Sequence, residues 1–157
     1  MDYLIVKWLH VISSTVLFGT GVGSAFYLLA TTLSRDVRAT AVVARMVVRA
    51  DWMFTATTAV LQPLTGFWMA HRIGLPLATP WLWTSIVLYV LAILCWLPVV
   101  VLQIRLRDLA AAAAREGTAL PPRYWTFFKW WIGLGVPAFL LFLALFWLMI
   151  AKPSLGG

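Results

Sequence analysis

Four long apolar stretches, at residues 3–32, 50–71, 80–104 and 125–151, fill most of this chain of 157 residues. Each is at least as long as the roughly 20 apolar residues that a helix needs to cross a hydrocarbon core about 30 Å thick. Only 11% of the residues are charged, against roughly 25% in soluble domains. The sequence therefore predicts one all-α transmembrane domain over residues 1–157, a four-helix bundle without a separate soluble catalytic domain.

The basic residues are distributed unevenly among the connections. Nine of the twelve Lys and Arg residues follow the first and third stretches, and three lie at the opposite ends. The positive-inside rule places the richer connections in the cytoplasm, which predicts N-out/C-out topology in a multi-pass protein of the bacterial inner membrane. The net charge of +7 then indicates contact with anionic lipid, not nucleic-acid binding. Homo-oligomers and partner subunits of a membrane complex are both compatible with this topology.

Two segments outside the stretches have helical patterns. Residues 34–49 predict an amphipathic extension, and the residues that repeat at helical spacing on its apolar face are Val42, Val43, Met46 and Val47. The third stretch continues into a helical run that we expect to stop at Gly117. Three acidic residues on the cytoplasmic side are expected to form surface ion pairs with arginines, and they are Asp51, Asp108 and Glu116.

The two histidines of the chain are the main candidates for chemistry. His10 lies roughly 10 Å into the first stretch, and His71 closes the second. With both termini outside, both histidines belong to the outer half of the bundle, although straight helices place His71 about 5–10 Å shallower. Ionisable groups within spans are rare and usually functional, and imidazole is the commonest metal ligand.

A b-type haem near the outer face accounts for this arrangement. Haem between antiparallel helices needs one or two axial ligands, small residues beside the macrocycle and cations for its propionates. We expect His10 to ligate the iron or metal, either with His71 or a methionine such as Met69 or Met149 on the opposite side, or as the sole protein ligand. The other residues that we expect to bind the cofactor are Lys7, Arg72, Ser14 and Gly21. The predicted function is electron transfer or haem handling, and the sequence leaves open whether the chain is an enzyme.

Two other classes of function stay open. Copper is the second metal, because imidazole and thioether groups in the outer half suit it. The third hypothesis is a structural or assembly subunit without a cofactor, and it is supported by the close helix approach that Gly19 and Gly23 allow. The sequence contains no ordered Ser-His-Asp arrangement, no phosphate-binding loop and no C-x-x-C motif.

Several segments carry a resemblance to known proteins, namely YLIVKWLHVI at 3–12, FGTG at 18–21, ADWMFT at 50–55, QPLTG at 62–66 and the segment 96–109. Together they resemble a bacterial integral-membrane family, domain of unknown function twenty-two sixty-nine. The Lys7-x-x-His10 opening, followed by glycines, is similar to membrane protoporphyrinogen oxidase and to copper-resistance D-type membrane proteins. The resemblance to the oxidase implies haem binding at His10 in a four-span bundle. The oxidase also has a lysine in its third span, which residues 80–104 lack, so the resemblance does not extend to its reaction.

Overall fold

The computed structural model describes residues 1–152, which are helical apart from short connections and contain no strand. Its elements are α1 (Asp2–Leu33), α2 (Val37–Ala50), a short π-helix (Asp51–Thr55), α3 (Ala56–Arg72), α4 (Pro80–Glu116) and α5 (Pro122–Ala151). The run from α2 through the π-helix to α3 is continuous.

Residues at the helix ends explain where the chain turns. The Asp36 side chain accepts a hydrogen bond from the Ala39 backbone N–H at 2.9 Å, which caps the start of α2. Gly117 has a φ of 66° and ends α4 in the left-handed conformation that glycine adopts without strain. The predicted stop at Gly117 is confirmed. Pro122 then begins α5, where its missing N–H is not needed.

Among residues 1–152, three helices, α1, α4 and α5, are long and apolar enough to cross a membrane. α4 has 37 residues, about 55 Å by helical rise, so it extends well beyond a hydrocarbon core about 30 Å thick. α3 has 17 residues and contains Pro63, and it continues from the π-helix. The predicted all-α membrane bundle is confirmed, whereas the outward placement of both termini stays a prediction.

The helices form two pairs, because α1 packs along α3 and α4 packs along α5. α2 joins the pairs by contacting both α1 and α4. Elsewhere long side chains bridge the space between α1 and α5. The ring of Phe18 lies 5.6 Å from that of Phe139 and 5.2 Å from that of Phe146.

The main hydrophobic core lies at the basic end of the bundle, where the α1–α2 and α4–α5 connections lie. Its buried members are Leu28, Ala41, Ala44, Val47, Val99, Leu106, Ala110, Ala113, Leu120, Tyr124, Phe128 and Trp131. The hydroxyls of Thr32 and Tyr124, both fully buried, are hydrogen-bonded at 2.8 Å. Of the residues on the apolar face predicted for α2, Val47 is buried in this core, whereas Val42 and Met46 are exposed on the helix surface. The small residues of α2 face the core because they let it approach α4 closely.

Candidate functional site

His10 lines a cavity of about 360 Å³ between the two helix pairs, which we call the His10 cavity. The cavity lies toward the end of the bundle opposite the basic end. Its other lining residues are Gln62, Pro63, Gly66, Phe67, Ala70, Leu82, Ser85, Ile86, Tyr89, Val90, Ile93, Leu94, Leu145 and Met149. Its volume falls within the 300–1,000 Å³ that small-molecule and cofactor sites usually occupy.

Thr65 is the hydrogen-bond partner of the His10 ring. The His10 Nδ1 atom lies 2.7 Å from Thr65 Oγ1. The single Thr65 hydroxyl proton is directed to the backbone carbonyl of Leu61, 2.7 Å away, with a second contact to that of Gln62 at 3.1 Å. With the hydroxyl proton on either carbonyl, Thr65 accepts a hydrogen bond from His10 Nδ1–H. A neutral imidazole protonated at Nδ1 has a free lone pair on Nε2, which is the form that ligates metals.

Gln62 holds the backbone of α1 against α3 beside the histidine. Its side-chain amide donates to the His10 carbonyl at 2.8 Å and to the Ser13 hydroxyl. Ser13 in turn donates to the same carbonyl at 3.0 Å. A Cβ at Gly66 would lie 3.5 Å from His10 Cε1, so the ring rests against the α3 backbone. The sequence marked Gln62 only as the residue before a helix proline, because nothing in the pattern shows what it contacts.

Met149, one of the methionines expected as a second ligand, lines the His10 cavity from α5. Met69 does not line it. His71 is exposed and is also absent from the lining. The reason is its register: Thr65 is the residue opposite His10, and His71 lies six residues farther, about 9 Å along the helix.

The remaining predicted cofactor-binding residues lie in three different places. Lys7 and Arg72 are exposed at the end of the bundle nearest to the His10 cavity. The Ser14 hydroxyl donates to the Val11 carbonyl of its own helix at 2.8 Å. Gly21 lines a second cavity. A Cβ at Gly19, Gly21 or Gly23 would meet no atom within 4 Å, so the close helix approach expected at these glycines is not seen within residues 1–152.

The second cavity, of about 400 Å³, contains the buried polar residues that the sequence reading missed. We call it the Asp51 cavity, since Asp51 lines it together with Gln103 and Trp131. The surface ion pair expected for Asp51 is wrong: Asp51 is 3% exposed and accepts a hydrogen bond from Thr55 at 3.0 Å. Asp108 does form its ion pair, with Arg107 at 2.7 Å. The sequence contained one signal of this burial, because Asp51 lies inside the apolar stretch at 50–71.

Within residues 1–152, no group of three or more His, Cys, Asp or Glu side chains is arranged to hold a metal ion. No curated protein and no solved structure shows significant similarity to the chain, so the resemblances to the oxidase and to the copper-resistance proteins stay predictions. A family model described as a predicted integral membrane protein matches residues 4–153. The chain is therefore a member of the family of predicted integral membrane proteins designated DUF2269.

Proposed function

We propose that this chain is a membrane-embedded b-type haem protein that serves electron transfer or haem handling, with His10 Nε2 as an axial ligand. The observation that carries the proposal is the hydrogen bond between His10 Nδ1 and Thr65 Oγ1. Metal-ligating histidines nearly always donate their other ring N–H to a fixed acceptor, which sets the tautomer and raises the basicity of the ligand. Thr65 provides that acceptor.

Met149 is the second axial ligand in this proposal. It reaches the His10 cavity from α5, and His10 reaches it from α1, so the two donors approach from opposite helix pairs. Helix-bundle haem sites are built in this way, from side chains on facing helices. A histidine–methionine pair raises the reduction potential relative to nitrogen ligands alone.

The residues around the donors have separate tasks. Haem itself supplies one-electron chemistry at its iron. Gln62 keeps α1 and α3 in register, so that His10 does not rotate toward lipid. The apolar residues from α3, α4 and α5 exclude water from the cavity, and Lys7 and Arg72 lie at the end where propionates would emerge.

Copper is the second candidate, favoured by the same pair of side chains. One imidazole and one thioether form a soft donor set that suits copper. Haem is preferred because the porphyrin supplies the equatorial nitrogens of its iron, so that two protein donors are enough.

The test is purification in mild detergent from haem-replete cells, with absorbance spectra and analysis of iron and copper. We expect a Soret band that His10→Ala abolishes and Met149→Leu shifts. The matched controls His71→Ala and Met69→Leu should leave the spectrum unchanged. Stoichiometric copper without haem would contradict the haem proposal and support the copper hypothesis. The chain could also fold without either metal and co-purify with partner subunits even as the His10→Ala variant. That result would contradict the haem proposal and support the hypothesis of an assembly subunit.

A further inference from the structure

The Asp51 cavity holds three buried polar atoms that have no hydrogen-bond partner within residues 1–152. They are Asp51 Oδ2, Gln103 Oε1 and Trp131 Nε1. Their residues are 3%, 5% and 5% exposed, and all three line the same cavity. An unsatisfied buried polar group costs about 1–3 kcal/mol, so three of them around one space indicate a binding site for a ligand that forms hydrogen bonds.

The backbone beside these atoms is also unusual. Asp51 begins the π-helix, which ends at Thr55, and Thr55 also lines the cavity. Single π-helical turns inside α-helices occur frequently at functional sites. The Trp131 ring is stacked on that of Phe128 at 5.7 Å and 15°, so the direction of its N–H is set by the core of the basic end. These groups are therefore held in place before any ligand arrives.

The cavity is polar at one end and apolar along the rest of its length. Gln103 lies at the polar end, and Ile93, which also lines the cavity, is ten residues away on α4, or about 15 Å. The apolar part is rich in aromatic rings, among them Phe18, Phe139 and Phe142. The occupant that fits this shape has a small polar head and an apolar tail.

The cavity opens between α1 and α5 toward the surface that faces lipid. Its lining includes five exposed apolar residues, Val22, Phe26, Ile132, Val136 and Phe139. A molecule dissolved in the acyl chains can enter by this route, whereas an ion would have to cross hydrocarbon at high cost. The occupant is therefore an uncharged membrane-soluble molecule.

The hydrogen-bonding groups specify the head. The indole N–H is a donor, whereas the unpartnered oxygens Gln103 Oε1 and Asp51 Oδ2 are acceptors. A hydroxyl group both accepts and donates, so it satisfies an indole N–H and a carboxylate or amide oxygen together. A flat ring that carries this hydroxyl can also stack on the aromatic lining. We propose that the Asp51 cavity binds the hydroxylated ring of a quinol, with its hydroxyl hydrogen-bonded to Trp131 and to Asp51 or Gln103.

Binding of decylubiquinol to the purified protein in detergent, kept reduced under argon and measured by calorimetric titration, tests this proposal. We expect saturable binding that is tighter than that of decanol, which has the hydroxyl but no ring, or of decylamine, which carries a charge. Trp131→Phe removes the indole N–H together with the five-membered ring that carries it, keeps one aromatic ring, and should weaken binding about two- to ten-fold. The control Trp130→Phe alters an exposed neighbour and should leave binding unchanged.

Filling the cavity gives a second test that does not depend on the polar residues. Gly135 lines the cavity and Gly133 does not, and a Cβ at either position meets no atom within 4 Å. Gly135→Leu should abolish quinol binding, and Gly133→Leu should not. Misfolding does not explain such a difference, because leucine has a higher helix propensity than glycine in both variants.

Either of two results would overturn the quinol site: binding of decylubiquinol that Gly135→Leu leaves intact, or binding of decanol or decylamine that is as tight. The absence of saturable quinol binding would overturn it as well. The site is separate from the proposed haem ligand, so His10→Ala should keep quinol binding. A variant that loses the Soret band and still binds quinol therefore separates the two proposals.

Discussion

Replacing Thr65 by valine tests the protonation argument for His10 without touching the ligand itself. Valine keeps the shape of threonine and removes the acceptor that lies 2.7 Å from His10 Nδ1. Thr65 is only 8% exposed, so the Nδ1–H loses its partner where little water can replace it, at a cost of about 1–3 kcal/mol. The ring can regain a partner only by changing tautomer or turning, and either change takes the Nε2 lone pair away from the cavity.

This cost of about 1–3 kcal/mol agrees with the usual effect of removing a hydrogen-bond partner of a metal-ligating histidine. Removing a residue that orients a metal ligand lowers metal affinity about 10–100-fold, which is about 1.4–2.8 kcal/mol. We therefore expect Thr65→Val to weaken haem binding about 10–100-fold. The midpoint potential should rise, because an imidazole without this hydrogen bond donates less charge to the iron and stabilises its oxidised state less.

The assay is haem titration of apoprotein followed at the Soret band, together with a potentiometric titration. Thr57→Val is the matched control, since the Thr57 hydroxyl is exposed and bonds only to the Met53 and Phe54 carbonyls of its own chain segment. Unchanged haem affinity and potential in Thr65→Val, in a protein that loses haem on His10→Ala, would refute the role assigned to Thr65. His10 would then be a ligand whose tautomer is set in another way.

Three further predictions concern the free energy of unfolding in detergent, measured by denaturant titration. Tyr124→Phe should lower it by about 1 kcal/mol by breaking the buried bond to Thr32, and an equal loss in the exposed control Tyr27→Phe would contradict this reason. Gln62→Leu should cost between about 0.6 and 1.7 kcal/mol, the range for hydrogen bonds between membrane helices; no loss would mean that Gln62 does not hold the pair together. Gly117→Ala should cost about 1–2 kcal/mol because alanine is strained at a φ of 66°, and a neutral result would mean that α4 ends differently.

The sequence predicted the features that depend on local chemistry or on total hydrophobicity. Long apolar stretches require helices in a membrane, so the all-α bundle followed from composition. The stop at Gly117 followed from the left-handed conformation that glycine adopts at helix ends. His10 was chosen as the main candidate because ionisable groups within membrane spans are rare and usually functional. These inferences needed no knowledge of which helices are neighbours.

Other features depend on which helices are neighbours, and the sequence did not predict these features. The helical pattern of α2 did not show which of its residues are buried: the closeness of α4 selects small residues such as Ala41 and Ala44, whereas Val42 and Met46 are exposed. Asp51 resembled a surface acid because arginines are close in sequence. Its burial is set by Gln103 and Trp131, which lie more than fifty positions away in the chain.

Small residues have opposite consequences at the two ends of the bundle. At the basic end, alanines of α2 face alanines of α4, so the helices close into a core, and these residues are Ala41, Ala44, Ala110 and Ala113. Farther along, Gly21 and Gly135 face no partner, because the Phe18 ring and the rings of α5 span the distance between α1 and α5. Glycines opposite bulky side chains leave space that the backbone does not close. Glycines in a membrane helix therefore indicate a cavity, and not helix contact, where phenylalanines hold the neighbouring helix away.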